Sequence, residues 1–317
     1  MDGFFHQVYA NGTLLALWGA LLFHLIVPIP HSAHPVTLWH KFAELLASKV
    51  NRNNSYQQSY ISGTLAWLLM IIPTIMVLVA LKTLVWQPAL FELALLLLAF
   101  DWRTQELLAK RISLSLAEQD KASARETLAP YVNRDTSRLS ALGLGKASAE
   151  TLIMGFGRNV ISVLFWYGLL GGIGALTYRL LAELGRAWSP SREEFSPFGL
   201  PIIRVIAVLE WLPMRLFSLI LLLGKGSAQV LRKVQEQAPS WPLPGPAWLL
   251  CVVGNKLELS LGGPAIYGKR KAIRSKIGGR IAPASIHLHQ IQSLLAWRAL
   301  AWILLESLIL FAVYQGI

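Results

Sequence analysis

Five stretches of this chain stay apolar for about the length of a bilayer crossing: Thr13 to Ile29, Ile61 to Leu81, Val160 to Ala182, Pro201 to Gly224 and Leu294 to Tyr314. Trp86 to Phe100 is a sixth, shorter stretch, suited to a short, tilted or half-buried helix. A lipid core offers no partner to free backbone groups, and no alternating barrel pattern occurs, so each stretch must be helical. Charged residues make up 15% of the 317 positions, against about a quarter in soluble domains. The fold expected is therefore all-α: a polytopic integral membrane helical bundle of about six transmembrane helices, forming a single membrane domain over residues 1–317. No internal repeat is visible. The one cysteine, Cys251, leaves no basis for a disulfide framework or a cysteine metal cluster. The first apolar run follows no basic segment and ends in Pro28, Pro30 and His31, so no cleavable signal peptide is expected.

Charge sets the expected orientation. With six spans, segments 32–59, 101–158 and 225–293 share one face, and they hold 22 of the 29 Lys and Arg but 10 of the 17 acids. The whole net charge of +12 thus lies on one side. The positive-inside rule makes that side cytoplasmic and leaves both termini and segment 183–200 outside. The location expected is the bacterial inner membrane, multi-pass, with basic loops in the cytoplasm.

Those loops carry the polar chemistry. LWHKFAELLASKV in segment 32–59 has helical periodicity. In segment 101–158, helices are expected over Asp101 to Ala117 and Asp120 to Ala129, with Pro130 ending the second. YVNRDTSRLS, Tyr131 to Ser140, follows and packs Arg134, Asp135, Thr136, Ser137 and Arg138 together. Guanidinium groups suit phosphate, and an Asp beside hydroxyls suits magnesium. Equally, Asp135, Thr136 or Ser137 could cap the next helix. Segment 225–293 is broken by PSWPLPGPAW, Pro239 to Trp248, expected as a non-helical link. Then Leu261-Gly262-Gly263-Pro264 with Tyr267 and Gly268 reads either as a tight turn open to a ligand or as a plain loop, without Walker or dinucleotide spacing. The basic run Lys269 to Arg280 reads as a face for anionic lipid headgroups, or as a means of steering phosphorylated substrates. No recognition module accompanies it, which argues against nucleic acid.

Other candidates are weaker. His31, His34 and His40, with His287 and His289, lack regular metal-ligand spacing. Glu92, Arg179, Arg204, Glu210, Arg215 and Glu306 fall inside spans, where ionisable groups are costly. Arg179 and Arg204 are expected to snorkel at outer ends, and Glu210 with Arg215 to form an intramembrane pair.

These strings, in this order, resemble the membrane-bound adenosylcobinamide-phosphate synthases of cobalamin assembly. The residues carrying the likeness are HPV at 34–36, Asp120, Arg125, RDTSRLS, Ala149-Glu150-Thr151, LFWYGLLGGIGALTYR (Leu164 to Arg179), Phe198-Gly199, LPMRL (Leu212 to Leu216), LSLGGPAIYG and Lys276-Ile277-Gly278. The resemblance implies ATP-dependent amide formation, with Mg²⁺, between adenosylcobyric acid and aminopropanol or its phosphate. It implies catalytic roles for Asp135, also the metal ligand, and Glu150. Arg134, Thr136, Ser137, Arg179, Gly262, Gly263, Pro264 and Tyr267 would bind substrate or phosphate. A corrinoid and a phosphorylated small molecule are then the expected partners, with membrane proteins or a second copy of the chain as further ones.

The chain also departs from that family's pattern. Gly155, Arg158 and Asn159 stand where the family has Asn-x-x-Asp-Gly, Ala182 and Gly185 where it has Asn-x-x-Asp, and Ile206 and Ala207 where it has paired Asp; Glu210 replaces an Asn. VLEWLPMRL (Val208 to Leu216) is similar to a related non-catalytic family, the ampicillin-resistance accessory membrane proteins linked to β-lactamase induction. The alternative to the ligase is thus a non-catalytic membrane paralogue that binds a ligand or partner in signalling related to the cell wall. A transporter has less support, since neither repeat symmetry nor paired broken helices are visible.

Overall fold

The computed structural model describes residues 12–26, 35–52, 55–268 and 270–315. His31, His34 and the opening of the HPV string lie outside the described residues. The chain is overwhelmingly helical: α1 Gly12–Ile26, α2 Pro35–Val50, α3 Tyr56–Leu84, α4 Pro88–Ala99, α5 Arg103–Ala117, α6 Lys121–Leu128, α7 Ala141–Phe156, α8 Ser162–Ala187, α9 Leu200–Leu222, α10 Ser227–Gln237, α11 Pro244–Lys256 and α12 Ser285–Gln315. One antiparallel hairpin, β1 Ser260–Tyr267 and β2 Arg270–Gly278, precedes α12. Four helical stretches are long and apolar enough to cross a membrane: Tyr56–Leu84, Ala141–Ala187, Leu200–Leu222 and Ser285–Val313. Gly12–His24 is a shorter apolar helix, and α4, at 12 residues, covers only about 18 Å.

Local chemistry explains the element ends. Asp120 accepts Ser123 N–H at 3.0 Å and starts α6. Ser140 accepts Gly143 N–H at 3.2 Å and starts α7. α11 begins at Pro244, inside the expected proline-rich link, because proline suits the first turn, where its missing N–H costs nothing.

The largest departure from expectation is at Val160 to Ala182, read as one straight span. α7 continues into α8 through a π-turn at Gly157–Ile161, and the chain then breaks at Gly171 (φ 67°, ψ −164°). Beyond the break it doubles back. The Arg179 guanidinium donates to Asn159 Oδ1, although twenty residues of straight helix would separate them by about 30 Å. Arg186 reaches the Pro130 carbonyl, before α7 begins. Glycine supplies the positive φ that a side chain would strain. Glu92 of α4 receives the Gly172 N–H, satisfying a donor freed by the break, and lies 3.6 Å from Lys82.

This reversal alters the expected placement of segment 183–200. Glu193 pairs with Arg270 of β2 at 2.7 Å. The Glu194 carbonyl accepts from Asn51 at 2.7 Å. The segment therefore shares a face with the basic loops instead of lying opposite them.

The core lies between the two limbs of the helical hairpin and α1, α4, α5, α9, α11 and α12. Trp188, Tyr167, Tyr178, Phe198 and Phe217 are its largest buried side chains. Leu65, Leu69, Ile72 and Met76 of α3 point outward, as a lipid-facing helix requires.

Candidate functional site

The Tyr131–Ser140 loop is held on two sides. Asp135 N–H donates to the Ile266 carbonyl of β1 at 2.9 Å. Arg125 of α6 clamps the Leu139 carbonyl with Nε at 3.2 Å and Nη2 at 2.7 Å. Asp135 Oδ1 accepts Ser137 N–H at 2.9 Å, so the RDTS string folds as a turn of its own. Neither Asp135, Thr136 nor Ser137 caps α7, since that place belongs to Ser140. The Asp135 carboxylate is exposed, and hydrogen bonds from Ser137 hold its pKa below the usual aspartate value. Thr136 is buried while Ser137 is exposed.

Beneath the loop lies a charged knot. Glu150, buried on α7, receives Arg134 at Oε2. Arg274 of β2 donates through Nη1 to Oε2 at 2.9 Å and through Nη2 to Oε1 at 3.3 Å. Gly262 N–H donates to Oε1 at 2.8 Å. Arg274 also donates from Nε to the Gly263 carbonyl at 3.2 Å and lies 5.2 Å from the Trp241 ring centroid. Gly262 sits at φ 75° where a side chain would collide with the Ser275 carbonyl, so the strands close only around a glycine. The register slips between Gly262 and Pro264, a bulge that turns the backbone N–H toward Glu150.

The loop, Glu150 and the Gly262-Gly263-Pro264 segment, far apart in the chain, thus meet at one place. The segment is a bulged strand rather than a turn or plain loop. Tyr267 ends that strand, next to Ile266, which holds Asp135. Arg274 was not singled out by sequence reasoning. It stood in a basic run, where the strand alternation of RKAIRSKIG was the available signal: Ala272 and Arg274 turn inward while Ile273 is 86% exposed.

Arg179 does not join this group. It is buried about two turns further along, bonded to Asn159, to Glu183 at 3.0 Å and to Asp101 at 3.9 Å, instead of snorkelling outward. Arg204 reaches the Tyr60 hydroxyl at 2.9 Å. Glu210 and Arg215 do not pair. Glu210 takes Arg158 at 2.7 and 3.2 Å and Tyr178 at 3.4 Å. Arg215 lies between the Trp211 and Trp248 rings, at 4.6 and 5.0 Å. Four of the positions that depart from the family's pattern thus meet in two pairs, between the π-turn or α8 and α9. Arg158 meets Glu210, and Gly185 abuts Ile206.

Among the described residues no three His, Cys, Asp or Glu side chains converge to hold a metal. His40 instead lies near Glu44 and Glu183, and His287 accepts Ala284 N–H at 3.0 Å. One exposed carboxylate, Asp135, does not fit an all-protein magnesium cage. It fits a magnesium ion carried in on phosphates and still largely hydrated. Two cavities of about 380 and 350 Å³ lie elsewhere, lined by apolar side chains such as Trp39 and Leu176 or Trp166 and Leu209.

Residues 17–297 match the family described as CobD/Cbib protein. The chain is 29% identical over 291 residues to the cobalamin biosynthesis protein CobD of Stutzerimonas stutzeri, covering 92% of this chain and 95% of that protein. It is 34% identical over 185 residues to the protein of the same name from Chromobacterium violaceum, covering 58% and 59%. A Rhodobacter capsulatus CobD matches at 26% over 281 residues, 86% of each chain. No solved structure matches. The chain belongs to the CobD/Cbib family.

Proposed function

We propose that this member of the CobD/Cbib family acts in cobalamin biosynthesis as an amide ligase, joining aminopropanol or its phosphate to a carboxyl group of adenosylcobyric acid. The observation carrying this reading is the meeting of the RDTS loop, Glu150 and the Gly262–Pro264 bulge at one place, in a chain whose relatives are named for cobalamin biosynthesis. That naming favours the ligase over a non-catalytic paralogue in cell-wall signalling.

An amide forms when an amine attacks an acyl group whose oxygen has become a good leaving group. ATP supplies that activation, and magnesium offsets the charge of the phosphates. The protein's part is to position and to stabilise charge. Asp135 is exposed beside the hairpin, where it can take a phosphate-borne Mg²⁺ with Thr136 and Ser137 flanking it. Arg134 and Gly262-Gly263-Pro264 line the same place, with Tyr267 at the end of β1. Arg179, further along the hairpin, keeps the limbs together.

The site faces the cytoplasm of the inner membrane in this reading, as the concentration of Lys and Arg in its loops supports. Exposed Lys271, Lys276 and Arg280 are then placed to meet anionic headgroups. The test supplies purified, detergent-solubilised protein with cobyric acid, aminopropanol phosphate, ATP and Mg²⁺, and looks for the amide by mass spectrometry. Product is expected. Its absence beside an active relative would overturn the ligase reading.

A further inference from the structure

Glu150 has little acceptor capacity left. Four donors reach its two oxygens: Gly262 N–H, both terminal nitrogens of Arg274, and Arg134 Nη2. An ionised carboxylate offers about four lone-pair sites. It is therefore poorly placed to take a proton from an attacking amine or to ligate a metal. The guanidinium groups, in contrast, have donors to spare. Arg134 spends one nitrogen on Glu150, and its Nε and Nη1 form no other hydrogen bond among the described residues. Two cations share one anion, so the knot carries a net positive charge although the side chains of Arg134 and Arg274 are only 9% and 15% exposed. A partly buried excess charge of this kind calls for an anion.

We infer that Glu150 is a positioning residue, and that Arg134 and Arg274 together form a clamp for phosphoryl oxygens at the edge of the RDTS loop. Planar guanidinium groups fixed by a shared carboxylate are aligned before ligand arrives, which lowers the ordering cost of binding. Trp241 and the Gly263 carbonyl fix Arg274 from the sides facing away from Glu150. The shared ligand chemistry is a phosphate ester or anhydride, supplied by nucleotide or by phosphorylated amine. The inference deepens the ligase reading but can be tested apart from it.

Inorganic pyrophosphate is titrated calorimetrically into the full-length solubilised protein. Arg274→Ala should weaken binding by about tenfold or more, the loss of one charge-assisted contact. Arg274→Lys should recover part of it, and added guanidinium should partly rescue the Ala variant. Glu150→Gln should weaken binding while leaving the acid and base limbs of the turnover profile in place. In turnover, Arg274→Ala should raise KM more than it lowers kcat. A rise confined to ATP identifies the nucleotide as the phosphate source; one confined to aminopropanol phosphate, and absent with aminopropanol, identifies the amine. Unchanged pyrophosphate affinity in a folded Arg274→Ala protein would overturn the clamp, as would failure of the wild type to bind pyrophosphate. Arg274-dependent binding without any amide product would leave the clamp standing and remove the ligase.

Discussion

Glu150 and Glu210 are both buried, both bonded to arginine, and both part of the assembly around one helical hairpin, yet their surroundings differ. Glu210 answers a single partner, Arg158, with Tyr178 completing the contact, and all three come from helices. Charge there is balanced one to one. Glu150 is shared between Arg134 from a loop and Arg274 from a strand, with a backbone N–H from a bulge. Charge there is left over, and the exposed Asp135 carboxylate, on the loop that supplies Arg134, bonds to Ser137 instead of to the cluster. A balanced pair among helices has the form of a structural lock. An unbalanced cluster built from loop, strand and helix has the form of a site waiting for a ligand.

The sharpest way to break this contrast is at Asp135. Replacing it with Ala should lower ligation by at least about a hundredfold, the scale of losing one preorganised electrostatic group. The melting temperature should fall only slightly, because the carboxylate is exposed and its one folded-state role is the local bond from Ser137. Persistent activity would mean that the loop is as structural as the Glu210 pair, and would remove the magnesium role. Next in size is Glu210→Ala, which strands Arg158. Thermal unfolding in detergent should show a loss of about 3–5 kcal/mol, while Arg158→Met combined with Glu210→Leu should recover most of it. A double variant as unstable as the single would show that the pair does more than lock helices.

The smallest effect concerns pH. The Asp135 pKa is lowered, so its carboxylate is the form present above the ordinary aspartate value of about 3.9 and remains so until pH falls further. The stability linked to this shift is fully present above that ordinary value and is lost as pH falls through the lower, folded-state one. The ratio of wild-type to Asp135→Asn turnover should therefore stay constant between about pH 5 and 8. A ratio that changes in that window would mean that Asp135 titrates there.

Local strings made much of this legible. The amphipathic α2, α6, Pro130 ending it, and the self-contained RDTS turn are visible in sequence because each depends on neighbours a few residues away, whereas Glu150 and the Gly-Gly-Pro string stood out only through the family resemblance. The break at Gly171 was not. An apolar stretch that folds back on itself has the same hydropathy as one straight span, and LLGGIGAL has glycines enough to hide which one turns. Arg274 was hidden because its partner lies 124 residues away and its neighbours are solvated cations. The proline-rich link misled at its end because proline opens a helix as readily as it stops one.

The Gly171 reversal also changes how passages through the bilayer are counted. A stretch that enters and returns makes no net crossing, whatever the length of its limbs. Reporters fused just before Ala141 and just after Ala187 would sit in the same compartment, whichever it is. Hydropathy reads the same residues as one straight crossing, whereas the contacts of Arg179 and Arg186 bring its two ends together. For this chain, whether the ends of that stretch lie apart or together depends on the backbone of a single residue without a side chain.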